Sequence, residues 1–360
     1  MDSTQQIYGI QELYRPADGN AEVDIVAVHG LNGNAMMAWT ARSENICWLN
    51  HPDFLPKYIQ NARVLAWGYN ANVSSATGPT SSNRILQHAQ TLVHQLEADR
   101  DVCKFPGIFI IPEAKSSPAR GCECETYNFL MPLSRGDHSK EASLMENQAI
   151  AYSASRKAPS LAHIQSIYTS TYAILFFGTP HHGSSKARLL GSLQKVVRLA
   201  IPSAVANFEN SLVDALKEQS ETLQNINDQF APLMAEFRIY FFWEQVKTDL
   251  KYTNDYIVEE SSAAPILDNT ERCGIAADHR GMCKFNNNRL QSFRTAISAL
   301  RRYARDAPDV TRVRHARALK ALQENQVYQA ADNLRGIQPA KSWLEALNTI
   351  DAPAVSGVRH

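Results

Sequence analysis

Residues 23–33 read VDIVAVHGLNG. The first six are apolar apart from Asp24, and the run ends in a turn carrying Gly30 and Gly33. An unbroken apolar run, rather than a polar–apolar alternation, is what a strand covered on both faces needs, as the inner strands of a parallel sheet are. A second segment of the same build, YAILFFGTPHHGS at residues 172–184, also passes from an apolar stretch into a turn, here of glycine, proline and histidine. A third, ADHRGMCKF at residues 277–285, sets a histidine beside an acid in a late loop.

Working outward, further strands are expected at residues 63–69 (RVLAWGY), 107–111 (GIFII) and 237–243 (FRIYFFW), with a possible leading strand at 7–14 and a short late one at 256–259. Helical periodicity falls between them. Residues 82–100 space Ile85, Ala89, Leu92, Val93 and Leu96 along one face, with Ser81 or Ser82 as N-cap. Short helical pieces are expected at 36–39 and 48–58, longer ones at 143–156, 186–200 and 206–230. A closing helix at about 288–305 carries Leu290, Phe293, Ile297 and Leu300. Strands alternating with helices predict an α/β fold: a mostly parallel central sheet with helices on both faces. The expected organisation is a leader at 1–20, one domain at 21–307, and a tail at 308–360 that is helical and then disordered. Residues 112–142 do not fit. They are polar and turn-rich, with Pro112, Pro118, Gly121, Pro132 and Gly136, and are expected as an irregular, exposed insertion.

Bulk composition excludes several classes. The chain has 360 residues with 36 basic and 36 acidic side chains, so no basic surplus points to nucleic acid. Six cysteines in this length are too few for a disulfide scaffold. No apolar run reaches the roughly 18 residues of a membrane span. The first residues, MDSTQQIYGIQELYRP, lack an apolar signal core. A soluble intracellular protein, most simply cytoplasmic, is the expectation, with no cofactor. A protein partner could use the tail.

Three motifs carry possible chemistry, each with a plain alternative. In HGLNG, residues 29–33, His29, Gly30 and Leu31 follow a strand, and the Leu31 backbone N–H could point at a developing oxyanion; the alternative is a simple glycine turn. In GTPHHGS, Gly178, His181 and Gly183 shape a turn at a strand's carboxyl end, where open sheets bind ligands. Adjacent His181 and His182 point different ways and have no third ligand at suitable spacing, so no metal is expected there. Cys122 and Cys124 lack a partner pair. In ADHRGMCKF, His279 is a candidate base. Its acid should follow the strand at 237–243, which makes Glu244 the first candidate. Asp255, Glu259 and Glu260 are rivals, and Asp278 is too close in sequence to orient the ring.

Together these segments resemble the serine-esterase or lipase-like α/β-hydrolases related to the serine-active-site-containing proteins, a family abundant in filamentous fungi and found at the N-terminus of some fungal NOD-like receptors. The resemblance runs through VDIVAVHGLNGNAMMAW, WLNHPDFLPKYIQNARVLAWGYNA, IAYSASR, STYAILFFGTPHHGSSKA, YIVEESSA and ADHRGMCKF, covering roughly residues 20–305 with one gap. It implies an α/β-hydrolase fold and action on carboxylic esters or lipid-like acyl groups, with His279 as base, Glu244 as its acid and Leu31 N–H as an oxyanion donor.

The gap falls on the nucleophile. The family's third strand leads into G-H-S-L-G-G; no serine here sits in G-x-S-x-G. Aligned on the strand at 107–111, Glu113 stands where the serine belongs, and the flanking glycines are gone. The nearby serines Ser116, Ser117 and Ser143 lack elbow context. Family character returns abruptly at Ala149. The sequence therefore reads as an esterase-type chain with an incomplete triad and no identified nucleophile, or as a binding or signalling module that keeps the fold without the chemistry.

Overall fold

A computed structural model describes residues 8–29, 34–70, 81–104, 126–130, 139–181, 225–226, 228–249 and 253–348. The chain divides into two compact units, residues 1–315 and 316–360. The first is organised by a seven-stranded sheet. In chain order its strands are β1 (Gly9–Tyr14), β2 (Val23–Val28), β5 (Ala62–Gly68), β6 (Thr126–Leu130), β7 (Thr171–Phe177), β8 (Arg238–Glu244) and β11 (Thr270–Ile275). Two-residue pairs add β3 (Thr40–Ala41) with β4 (Ile46–Cys47), and β9 (Thr248–Asp249) with β10 (Asn254–Asp255). The described helices are α1 (Leu55–Tyr58), α2 (Ser81–Lys104), α3 (Ser139–Ala154), α4 (Ala162–Ser170), α5 (Glu260–Ala263) and α6 (Gln291–Asn348).

Across the sheet the order is β1-β5-β2-β6-β7-β8-β11. Only β1 is antiparallel to its neighbour; every other pairing is parallel. β2, β5, β7 and β8 are buried on both sides, and side-chain alternation sends their residues into two cores. Ile25, Val64, Leu175, Phe177 and Phe242 face one core, where α6 lays down Phe293, Ile297, Leu300 and Tyr303 at helical spacing. Val26, Leu65, Phe176 and Phe241 face the other, against Leu92, Val93 and Leu96 of α2, Ile150 of α3 and Ile164 of α4. Each fully buried side chain of this size contributes roughly 1.5–3 kcal/mol, so the two apolar faces hold the three layers together.

A buried ion pair links two of the inner strands. Arg63 of β5 lies opposite Asp24 of β2 and donates to both carboxylate oxygens, at 2.7 and 3.0 Å, while both residues are essentially inaccessible. The fork-to-fork geometry satisfies groups that would be costly to bury alone.

Three features differ from the sequence expectation. The strand expected at 107–111 lies outside the described residues, and the place between β2 and β7 is taken by Thr126–Leu130, inside the stretch read as irregular. The segment's Thr, Tyr and Phe suit a strand, and a sheet that continues from β2 to β7 needs one there. The helix of residues 139–154 likewise starts within that stretch. The edge strand β11 and helix α4 were not anticipated. β11 reads TERCGI, polar and half-buried, and an edge strand of that make-up carries no apolar run to recognise. The short strand expected at 256–259 is absent; Asn254–Asp255 pairs with β9 instead.

The closing helix also runs further than its periodicity suggests. It continues through Pro308 to Asn348, and Thr311 is buried, donating its hydroxyl to the Ala307 carbonyl. The first compact unit ends at His315. Within the second unit the described residues are helical, with Leu319, Val327 and Tyr328 exposed. No helix among the described residues is long and apolar enough to cross a membrane.

Candidate active site

Parallel strands end on one edge, and the described sequence candidates sit there. Glu244 is the last residue of β8, and His279 follows β11 by four residues. The sheet extends slightly past both strands, through Gln245 N–H to the Ile275 carbonyl and Val246 N–H to the Ala277 carbonyl. His29 follows β2, and Gly178 and His181 follow β7.

Glu244 and His279 meet. The carboxylate Oε1 lies 3.4 Å from the ring Nδ1, and both side chains are buried. That distance is longer than a well-formed N–H···O bond, within the loose range of unliganded acid–base pairs. The carboxylate is held from two further directions. The Val258 N–H donates to Oε1 at 2.8 Å, and the Thr248 hydroxyl donates to Oε2 at 3.3 Å. The same hydroxyl accepts the His279 backbone N–H at 3.1 Å.

The loop carrying His279 is fixed by its own sequence. Asp278 closes its turn by accepting the Gly281 N–H at 2.8 Å, and the Met282 N–H bonds the Asp278 carbonyl. Met282, Cys283 and Phe285 are buried in the core beneath, and the Trp48 indole N–H donates to the Cys283 carbonyl at 2.9 Å. A buried aromatic with a satisfied polar handle is a strong anchor.

The rival acids are occupied elsewhere. Asp278 caps its turn, Asp255 accepts the Tyr256 N–H, Glu260 pairs with Arg272, and Glu259 is exposed at the start of α5.

The other candidates are shaped by packing. The His29 ring is buried, accepts the Tyr69 N–H through Nε2 at 3.1 Å and stacks on the Tyr69 ring, so it ties the end of β2 to the end of β5. His181 is wedged edge-on against Phe176, with ring centroids 4.1 Å apart, and its backbone N–H bonds the Ser262 carbonyl. Gly178 adopts φ +60° while its N–H bonds the Phe242 carbonyl, a left-handed turn that suits glycine. Gly30, Leu31, His182 and Gly183 lie outside the described residues, as do Ser116, Ser117, Glu113, Cys122 and Cys124. Ser143 falls within α3. No cluster among the described residues has the make-up of a metal site.

Two partners of the carboxylate, Thr248 and Val258, escaped sequence reading. Val258 acts through its backbone, which no side-chain pattern reveals. Thr248 stands four residues after Glu244, a spacing with no meaning until the β9–β10 excursion folds it back. Between β6 and α3 the sequence reads MPLSRGDH, residues 131–138, with Ser134 two residues after Pro132 and two before Gly136; these residues lie outside the described ones.

No family model matches the sequence, and no curated protein does. Among solved structures, the chain is similar to a highly thermostable carboxyl esterase from Bacillus coagulans in complex with glycerol, at 8% identity over 83% of this chain and 100% of that one, with a TM-score of 0.39. It is similar to the RedJ thioesterase of the prodiginine pathway of Streptomyces coelicolor, at 9% identity over 81% and 93%, with a TM-score of 0.35. It is also similar to a four-domain nonribosomal peptide synthetase bound to AMP and glycine, at 10% identity over 83% of this chain, with a TM-score of 0.35; this chain spans 20% of that synthetase.

Proposed function

We propose that the chain is an α/β-hydrolase-fold protein of serine-esterase ancestry, in which Glu244 and His279 form the acid–base half of a hydrolytic triad directed at carboxylic esters or lipid-like acyl groups. The observation that carries this reading is the buried 3.4 Å contact of Glu244 Oε1 with His279 Nδ1 at the carboxyl edge of the parallel strands. With Nδ1 facing the carboxylate, Nε2 is the nitrogen that would transfer the proton, and the carboxylate would stabilise the imidazolium that forms. The chain order, acid before histidine, fits a nucleophile–acid–base sequence.

Sheet topology supports the same edge. The chain steps from β2 outward to β5 and then returns to β6 on the other side of β2. Open α/β sheets bind ligands outside the carboxyl ends at such a reversal. The two connections flanking it are the HGLNG turn after β2 and residues 131–138 after β6. In this reading the nucleophile position belongs to the second connection, where Ser134 is the serine to test.

A specific observation favours the non-catalytic alternative. G-x-S-x-G occurs nowhere in the sequence, and Pro132 stands where the first glycine of an elbow around Ser134 would be. The deciding experiment is a steady-state assay of short-chain aryl and acyl esters on the purified chain beside Ser134→Ala and His279→Ala. Turnover abolished by both variants establishes a triad; turnover abolished by His279→Ala alone moves the nucleophile elsewhere. No wild-type turnover refutes the hydrolytic reading and leaves the binding module.

A further inference from the structure

We infer that Thr248 is a positioning residue whose hydroxyl couples the acid to the base, fixing the Glu244 carboxylate and the His279 main chain as one unit. The inference rests on reading Glu244 and His279 as acid and base.

A threonine hydroxyl has one proton to donate and two lone pairs to accept with. The His279 backbone N–H can only donate, so its 3.1 Å contact uses a lone pair of Thr248 Oγ1. The hydroxyl proton is then free to go to Glu244 Oε2, 3.3 Å away. The direction of both bonds is therefore set by valence, and the resulting chain runs from the His279 main chain through Thr248 to the carboxylate that faces the His279 ring. Thr248 is fully buried, so water does not substitute for either bond.

The backbone route explains why this residue is placed to do so. After Val246 the chain leaves the sheet, forms β9, returns through β10 with Asp255 registered against Thr248, and reaches Val258, whose N–H donates to Oε1. The excursion holds the carboxylate at both ends, Oε2 from its outgoing arm and Oε1 from its returning arm. Rotation of the carboxylate away from the imidazole would break both bonds. Without the Thr248 hydroxyl, Oε2 loses this donor and the His279 N–H loses this acceptor, and the carboxylate is held through Oε1 alone.

The test uses the full chain labelled with ¹⁵N-histidine. The protein has 11 histidines, and the His279 signals are identified by their loss in His279→Ala. In Thr248→Val, which keeps the side-chain shape, the His279 ring nitrogens should shift in the same direction as in Glu244→Gln. Thr248→Ser should leave them at the wild-type positions. Where the chain hydrolyses esters, kcat should fall by up to about 10²-fold in Thr248→Val with KM unchanged, and the serine variant should restore it. Ring signals unmoved in Thr248→Val overturn the inference, even if the backbone amide of His279 moves, because the hydroxyl would then hold only the loop. Thr248→Ala replaces the valine variant if the latter does not fold; failure of both to fold, with Thr248→Ser folded, also overturns it. A wild-type protein without esterase activity whose ring signals still shift in Thr248→Val refutes the hydrolytic reading and leaves the coupling intact.

Discussion

Replacing Glu146 with glutamine should stabilise the protein by an amount that grows with pH. Glu146 lies on α3, 1% exposed, and neither carboxylate oxygen has a hydrogen-bond partner among the described residues. Burial pushes its carboxyl well above the ordinary value of 4.5. A carboxylate taken out of water without a partner is costly, so the folded chain keeps the proton. The unfolded chain gives it up near pH 4.5. Above that value the folded state binds more protons than the unfolded one, and stability falls as pH rises until the folded-state carboxyl itself ionises. Within that window each pH unit changes the folding equilibrium about tenfold, a little over 1 kcal/mol. From 4.5 to 7 is 2.5 units, which sets an upper limit of about 300-fold at neutral pH. Glutamine has nearly the same shape, also buries an unpaired polar group, and does not titrate. Urea unfolding of both proteins at pH 5, 6 and 7 isolates this residue, because every other titrating group cancels in the difference. The gain from Glu146→Gln should be small at pH 5 and increase at each step. A difference between the two proteins that stays constant with pH would refute the argument, since it would mean that Glu146 is ionised or paired in the folded state.

Arg63→Met should destabilise by about 3–5 kcal/mol by leaving the Asp24 carboxylate buried without its fork of donors, and Arg63→Met combined with Asp24→Leu should recover most of the loss; chemical denaturation of the single and double variants reads both. Gly178→Ala should cost about 1–2 kcal/mol, because a side chain at φ +60° is strained, and the same melts measure it.

β2, β5, β7 and β8 were legible because they are apolar on both faces. Val23–Val28 needs no partner information to be recognised, since every residue in it must be buried whatever lies on either side. The same holds for β7 and β8. Glu244 was legible as an acid at the end of a buried strand and His279 as a histidine in a late loop; β11, which brings that loop beside β8, was not. β6 was hidden by its neighbours. TYNFL follows a cysteine- and glycine-bearing polar stretch and precedes Pro132, and only the register with β2 and β7 identifies it. β11 was hidden by its position, because an edge strand that pairs Glu271 with Arg302 and Arg272 with Glu260 spends its side chains on charge contacts. Pro308 misled in the opposite direction. It signals a helix end, yet the α6 face that continues to buried Thr311 extends past it.

The two halves of the proposed site are built by different parts of the chain, and this decides what the surviving half can prove. Glu244 is held by Val258 and Thr248, and His279 by the Asp278 turn, the buried Met282–Cys283–Phe285 run and the Trp48 indole. None of these contacts involves β6, α3 or the connection between them. A change in that connection would therefore leave the acid and base in contact, because the bonds that orient them lie in the loops after β8 and β11. The contact of the pair supplies a geometry for proton transfer whether or not an attacking group is present. On the proposed reading the attacking group would come from residues 131–138, where the sequence sets Pro132 two residues before Ser134 and Gly136 two after it. A Pro132→Gly variant accordingly discriminates better than any change to His279: an elbow obstructed only by that proline should gain ester turnover, and a connection that presents no nucleophile should gain none.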